Sequence, residues 1–158
     1  MMTCHNKTAL FPGSFDPFTL GHFSIVERTL QFIDRVVIAV GVNDLKQCCF
    51  PLEVRMDAIR RIFKDNMSVE VITYDGLTVD VAKEVGADII VRGVRTVADF
   101  EYEKGIAEIN KRLSGIETVI LFADPDVSHI SSSVVRELVR FGKDISTFMP
   151  QQADGGCA

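Results

Sequence analysis

Five short apolar runs, 8-TALF-11, 36-VVIAVGV-42, 69-VEVIT-73, 88-DIIV-91 and 118-TVILFA-123, recur at intervals of about twenty to thirty-odd residues. They are rich in β-branched residues, and uninterrupted apolar runs of this length are what strands covered on both faces require, so they read as buried parallel strands. The segments between them carry a helical period. In 22–33, Ile25, Val26, Leu30 and Ile33 share one face; in 52–63, Leu52, Met56, Ile59 and Phe63 do the same, with Pro51 suited to the first turn and Glu53 to the helix dipole. Further helices are expected around 78–85, 98–113 and 132–141. The alternation predicts an α/β fold: a doubly wound, five-stranded parallel sheet with right-handed crossovers, built from residues 1–158 as one domain. Only the polar, Gly-rich tail 151-QQADGGCA-158 is expected to fray.

A net charge of −5 in 158 residues argues against a general nucleic-acid binder, which gains affinity from clustered Lys and Arg. An anionic ligand has to be met locally. The start, MMTCHNK, lacks an apolar leader core, and no apolar run approaches the ~18 residues that span a bilayer, so a cytoplasmic protein with no membrane partner is expected. Cys4, Cys48, Cys49 and Cys157 show neither C-x-x-C nor a histidine at ligand spacing, and are expected as free thiols.

In a doubly wound sheet, ligands bind beyond the carboxyl ends of the strands, and the unusual residues sit in the loops there. After the first strand comes 11-FPGSFDPFTLGH-22. Gly13 permits close backbone approach to a ligand, the prolines stiffen the path, and a following helix offers its N-terminal N–H groups to an anion. Asp16 either touches a ligand or ties this loop together by accepting backbone N–H bonds, and the second is the expected role. His22 either lines the core edge or works as a neutral donor to a phosphoryl oxygen, since a helix N-terminus disfavours the imidazolium.

Lys46, the cation of 43-NDLKQCCF-50, is an ordinary exposed lysine or points into the same crevice; Cys48 and Cys49 are read as spectators. In 92-RGVRTVADFEYE-103, Arg92 and Arg95 flank Gly93 and Val94 and make a fork for phosphate groups, or Arg92, directly after a buried strand, pairs with Asp99, Glu101 or Glu103. In 128-SHISSSVVREL-138, Ser131, Ser132 and Ser133 cap a helix or, with Arg136 and Arg140, add a second phosphate-binding N-terminus. No nucleophile and base pair, H-E-x-x-H or paired-acid motif accompanies them. Such an inventory suits direct displacement at phosphorus, where positioning and charge stabilisation supply most of the catalysis.

T-x-G-H at 19–22 resembles the mark of the nucleotidylyltransferase superfamily. PGSFDPFTLGH, RGVRTVADFEYE and ISSSVVREL, in this order and spacing, are together similar to the bacterial phosphopantetheine adenylyltransferases, over about residues 8–150. The resemblance implies a Rossmann-like nucleotidylyltransferase fold and transfer of AMP from ATP to 4′-phosphopantetheine, giving dephospho-coenzyme A and pyrophosphate. It implies that Ser14 and Phe15 contact the reacting phosphates, with Ser14 orienting the acceptor, and that His22 stabilises the α-phosphate. Lys46 and Arg92 would hold the pantetheine phosphate, Lys46 also reaching the reacting oxygens, and Thr78 would line the pantetheine arm. Gly93, Val94, Arg95 and Glu103 would belong to the ATP site with Val127, Ser128, His129, Ile130, Ser131, Ser132 and Ser133, and Arg95 joins Ser14, His22 and Lys46 in the implied catalytic set. It further implies Mg²⁺ carried by ATP rather than by protein side chains, a homohexamer, and coenzyme A as feedback inhibitor. The chain departs from the family pattern at Val127 and His129, where aromatics are frequent, and in its tail. A nicotinate-mononucleotide adenylyltransferase, a cytidylyltransferase and a non-catalytic adenine-nucleotide sensor are the alternatives.

Overall fold

The computed structural model describes residues 6–42 and 47–151. Strands β1 (Thr8–Gly13), β2 (Arg35–Gly41), β3 (Val69–Tyr74), β4 (Ile89–Val94) and β5 (Glu117–Phe122) alternate with helices α1 (Leu20–Thr29), α2 (Leu52–Ile62), α3 (Thr78–Glu84), α4 (Val97–Ser114) and α5 (Ser132–Arg140). The five strands form one parallel sheet in the order β3-β2-β1-β4-β5. The chain moves outward from β1 to β3, then returns to the other side of β1 for β4. That reversal opens a crevice at the carboxyl ends of β1 and β4, where this architecture binds ligands.

Both faces of the central strands are covered, which is why their sequences read as continuous apolar runs. Ala9 and Phe11 of β1 and Val36, Ile38 and Val40 of β2 pack with Ile25 and Val26 of α1 and Met56 and Ile59 of α2. The alternate residues Leu10, Val37, Ala39 and Ile90 pack with Val81 and Ala82 of α3. On α1 the helical face is shorter than expected: the helix ends at Thr29, and Leu30 and Ile33 follow it. Pro51 stands at the N-cap of α2, one position before the first turn. Of the tail, only Gln151 lies within the described residues.

The pairing of β1 with β4 decides where the site forms. It extends over Ala9 with Ile89 and Leu10 with Ile90, whereas β1 and β2 stay paired to Gly13. Arg92 then reaches across with Nη1 to the carbonyl of Pro12. That carbonyl faces β4, and proline has no N–H to continue the ladder on the same side. Arg92 is therefore a residue of β4 rather than one that follows it, because β4 runs on to Val94.

Candidate active site

The turn after β1 is held from outside. Arg92 of β4 donates to the carbonyl of Pro12, Arg55 of α2 to that of Ser14 (2.5 Å), Arg136 of α5 to that of Asp16 (2.8 Å), and Ser132 of α5 to that of Pro17 (2.9 Å). The Asp16 carboxylate accepts backbone N–H bonds as the sequence suggests. Its donors, Cys49 (2.7 Å) and Phe50 (2.8 Å), belong to the connection between β2 and α2 rather than to its own loop.

Gly13 has a further reason besides the one expected. A β-carbon there would stand 2.9 Å from Cζ of Phe15, so the glycine makes room for that ring; the same glycine lines both cavities described below. Phe15 itself has φ of 46°, a backbone region uncommon for a residue with a side chain. Its ring lies edge-on to Phe11 at 5.2 Å and to His22 at 5.1 Å.

His22 is the N3 residue of α1. The Thr19 backbone N–H donates to its Nδ1 at 3.0 Å, and Thr19 Oγ1 stands 3.1 Å from the same nitrogen. With Nδ1 occupied as an acceptor, the proton of the neutral ring resides on Nε2. Burial first, and then the positive charges of Arg92 and Arg95, lower the pKa from 6.5 to about 4. His22 is thus a neutral ring, as the sequence suggests, with burial and two guanidinium groups as the cause.

Both readings of Arg92 have a basis. Glu103, buried, takes it bidentately (Nε to Oε2 2.8 Å, Nη2 to Oε1 2.6 Å), so the ion pair forms with this one of the three acidic candidates. Yet Arg92 also lines two cavities. The first, about 470 Å³, is lined by Ser14, Phe15, His22, Gly93, Val94, Arg95, Glu103, Val127, Ile130, Ser131, Ser132 and Ser133, with Arg136. Ser128 and His129 are not in that wall: Ser128 Oγ donates to the Pro125 carbonyl, and His129 is exposed. Ser131 caps α5, its hydroxyl accepting from Val134 N at 3.2 Å. Arg95 pairs loosely with Asp99 at 3.5 Å.

The second cavity, about 580 Å³, holds Thr78, Tyr74, Ile106, Asn110 and Thr118. Cys48 lines it, and the Cys49 backbone N–H donates to Asp16; both cysteines are free thiols. Lys46 lies outside the described residues. Pro12, Gly13, Ser14, Arg92 and Glu103 belong to both cavities and form the wall between them. Sequence reasoning missed Thr118, whose Oγ1 is buried in the second cavity with no hydrogen-bond partner among the described residues. It also missed Asn110 and Arg55, which look like ordinary polar positions of amphipathic helices.

Residues 10–138 match the cytidylyltransferase-like family model. The chain is 52% identical over 145 residues to a phosphopantetheine adenylyltransferase of Bacteroides thetaiotaomicron, covering 92% of this chain and 96% of that one. The chain belongs to the phosphopantetheine adenylyltransferase family. A second member, from Porphyromonas gingivalis, is 51% identical over 143 residues, covering 90% and 94% of the two chains. Among solved structures, a bifunctional NMN adenylyltransferase/ADP ribose pyrophosphatase from Francisella tularensis superposes with a TM-score of 0.70 at 16% identity, over 95% of this chain and 46% of that one. A putative nicotinate-nucleotide adenylyltransferase from Vibrio parahaemolyticus gives 0.59 at 20% identity, over 93% and 95%. At these identities the two structures bear on the fold, an α/β nucleotidyltransferase sheet. In this phosphopantetheine adenylyltransferase family member, the three sequence motifs fall on the β1–α1 turn, the β4–α4 segment and the start of α5, which meet around the first cavity.

Proposed function

We propose that the chain transfers AMP from ATP to 4′-phosphopantetheine, giving dephospho-coenzyme A and pyrophosphate. The observation that carries the reading is the pair of cavities that meet at Pro12, Gly13, Ser14, Arg92 and Glu103. One suits a nucleotide and the other an acceptor, and the bond between them forms at the shared wall. A phosphate oxygen of the acceptor attacks the α-phosphorus, the bond from that phosphorus to the bridging oxygen breaks, and pyrophosphate leaves. The attacking oxygen is already ionised, so the step needs no protein base, and the chain's work is positioning and charge stabilisation.

In this reading His22 donates from Nε2 to an α-phosphate oxygen. Arg95, Arg136 and Ser133 face the rest of the triphosphate, with Gly93, Val94, Val127 and Ile130 around the nucleoside. Ser14 orients the acceptor, Arg92 and Lys46 hold its phosphate, and Thr78, Asn110 and Thr118 accompany its arm. Both carboxylates of the first cavity are engaged, Glu103 by Arg92 and Asp99 by Arg95 and the N-terminus of α4. That donor set fits Mg²⁺ arriving on ATP, where it supplies neutralisation of phosphate charge. Among the described residues no three His, Cys, Asp or Glu side chains converge to hold a metal.

The proposal extends to a cytoplasmic homohexamer inhibited by coenzyme A. Exposed Tyr102, Ile109 and Leu113 on α4 and Phe122 on the edge strand β5 support self-association. No helix among the described residues is long and apolar enough to cross a membrane.

The test is pyrophosphate release from ATP with phosphopantetheine, nicotinate mononucleotide or glycerol phosphate as acceptor. Release with phosphopantetheine alone is expected. Release with either of the others, or only when CTP replaces ATP, would assign a different transferase, and binding of ATP without release from any acceptor would assign a sensor.

A further inference from the structure

Arg55 is placed where a cation is costly. It is buried to 6% exposure, it stands in the first turn of α2, whose dipole end repels positive charge, and among the described residues it has no carboxylate partner. It lines neither cavity. Its guanidinium is given over to backbone carbonyls on three segments: Nε to Phe50 (3.1 Å) just before α2, Nη1 to Gly41 (3.4 Å) at the end of β2, and Nη1 to Ser14 (2.5 Å) in the turn after β1. Asp16, also buried and also outside both cavities, completes the arrangement from the other side. Its carboxylate accepts the N–H groups of Cys49 and Phe50. Phe50 is thereby held by its carbonyl on Arg55 and by its N–H on Asp16.

We propose that Arg55 and Asp16 are positioning residues for transfer: a charged clamp, acting through backbone, that fixes the acceptor side of the shared wall. Of the points it holds, Ser14 and Gly41 line the second cavity, and Cys48, beside the bonded Cys49, lines it too. The same clamp ties that cavity to the turn that carries the nucleotide side, because Ser14 belongs to both. A structural staple could be built from apolar side chains, which desolvate at no cost. Two buried opposite charges spent on three carbonyls and two N–H groups give directional constraint instead, and in-line displacement is sensitive to misplacement by fractions of an ångström. The inference rests on the acceptor reading above.

Two variants and two measurements test it. Arg55→Lys keeps the charge without the planar fork, and Asp16→Asn keeps the shape without the charge and replaces an acceptor oxygen by a donor. In each folded variant, the KM for phosphopantetheine is expected to rise about tenfold or more while the KM for ATP stays within about twofold. A lower melting temperature with both KM values unchanged, or with both raised equally, would mean a staple and overturn the proposal. The second measurement needs no turnover. In a background with Cys4, Cys49 and Cys157 replaced by serine, labelling of Cys48 by a thiol reagent well below the melting temperature is expected to accelerate about fivefold or more in Asp16→Asn and Arg55→Lys, because the wall it lines is released. Labelling at the parent rate in both folded variants would overturn the clamp. If the parent releases no pyrophosphate with phosphopantetheine, the acceptor reading fails, and the labelling rates alone decide whether the clamp exists.

Discussion

The Phe15 ring fills the space that a β-carbon on Gly13 would need, with its Cζ 2.9 Å from that position. Glycine at 13 and the aromatic at 15 are therefore one device, and the ring's edge-on contact with His22 joins that histidine to it. Gly13→Ala is expected to cost about 1 to 3 kcal/mol, the usual penalty for forcing atoms into a packed site, and to lower turnover by turning Phe15 against His22. Gly13→Ala combined with Phe15→Leu should recover most of the stability, as read by thermal denaturation. The Gly93→Ala counterpart meets Cγ1 and Cδ1 of the Ile25 side chain at 3.0 and 3.1 Å, less closely than Gly13 meets Phe15, and is expected to cost less.

Replacing His22 by alanine is expected to lower kcat by about a hundred- to a thousandfold, the loss typical of one transition-state donor. The fold should persist, since Thr19 loses only the ring end of its capping box. Single-turnover AMP transfer measures this, and turnover within a few-fold of the parent would remove His22 from the mechanism.

The depressed pKa of His22 has a thermodynamic counterpart. Below pH 6.5 the unfolded chain binds a proton at this residue that the folded chain refuses until about pH 4, so stability falls as pH drops through that interval. Above 6.5 the contribution is fully present. In His22→Gln, which cannot titrate, denaturant midpoints measured between pH 6.5 and 4 should fall less steeply than in the parent. Equal slopes in the two proteins would place the ring in a more solvated setting.

Arg92 carries two loads, and a single substitution should expose both. Arg92→Ala leaves the buried Glu103 carboxylate without its bidentate partner, a loss of about 2 to 3 kcal/mol, and Arg92→Ala combined with Glu103→Gln should restore part of it. The KM for phosphopantetheine is expected to rise in both proteins much more than the KM for ATP. Equal changes for the two substrates would put Arg92 on the nucleotide side.

Thr118→Val removes a buried hydroxyl that has no hydrogen-bond partner among the described residues. The melting temperature should hold or rise, because the unpaired group costs stability in the free protein. If the acceptor's amide-bearing arm enters the second cavity as proposed, isothermal titration with phosphopantetheine should show weaker binding, because the arm then loses this hydroxyl as a partner.

The sheet was legible because burial on both faces leaves its mark in sequence: β1 to β5 stand where the apolar runs predict them, with ends within three residues, the largest difference being at the end of β4. The loops were legible as chemistry because Gly, Pro, His and Arg are unusual at strand ends. What escaped were relations between distant residues. Glu103 could be told from Asp99 and Glu101 as the partner of Arg92 only once β4 and α4 were seen together. Arg55 carries no local mark, since a polar residue in the first turn of a helix is commonplace and its carbonyl partners leave no trace in side-chain composition. Ser128 and His129 stand between Val127 and Ile130 in sequence, yet only those two of the four line the first cavity.

The carbonyls of Pro12, Ser14, Asp16 and Pro17 are each gripped by a side chain from later in the chain, the last of them Arg136. An N-terminal turn set by partners so far downstream has no finished shape while the protein is being made. A nascent chain that has not yet made α5 carries every residue of the first motif and still lacks the side chains that hold the Asp16 and Pro17 carbonyls, so this turn is completed only when the last α-helix arrives.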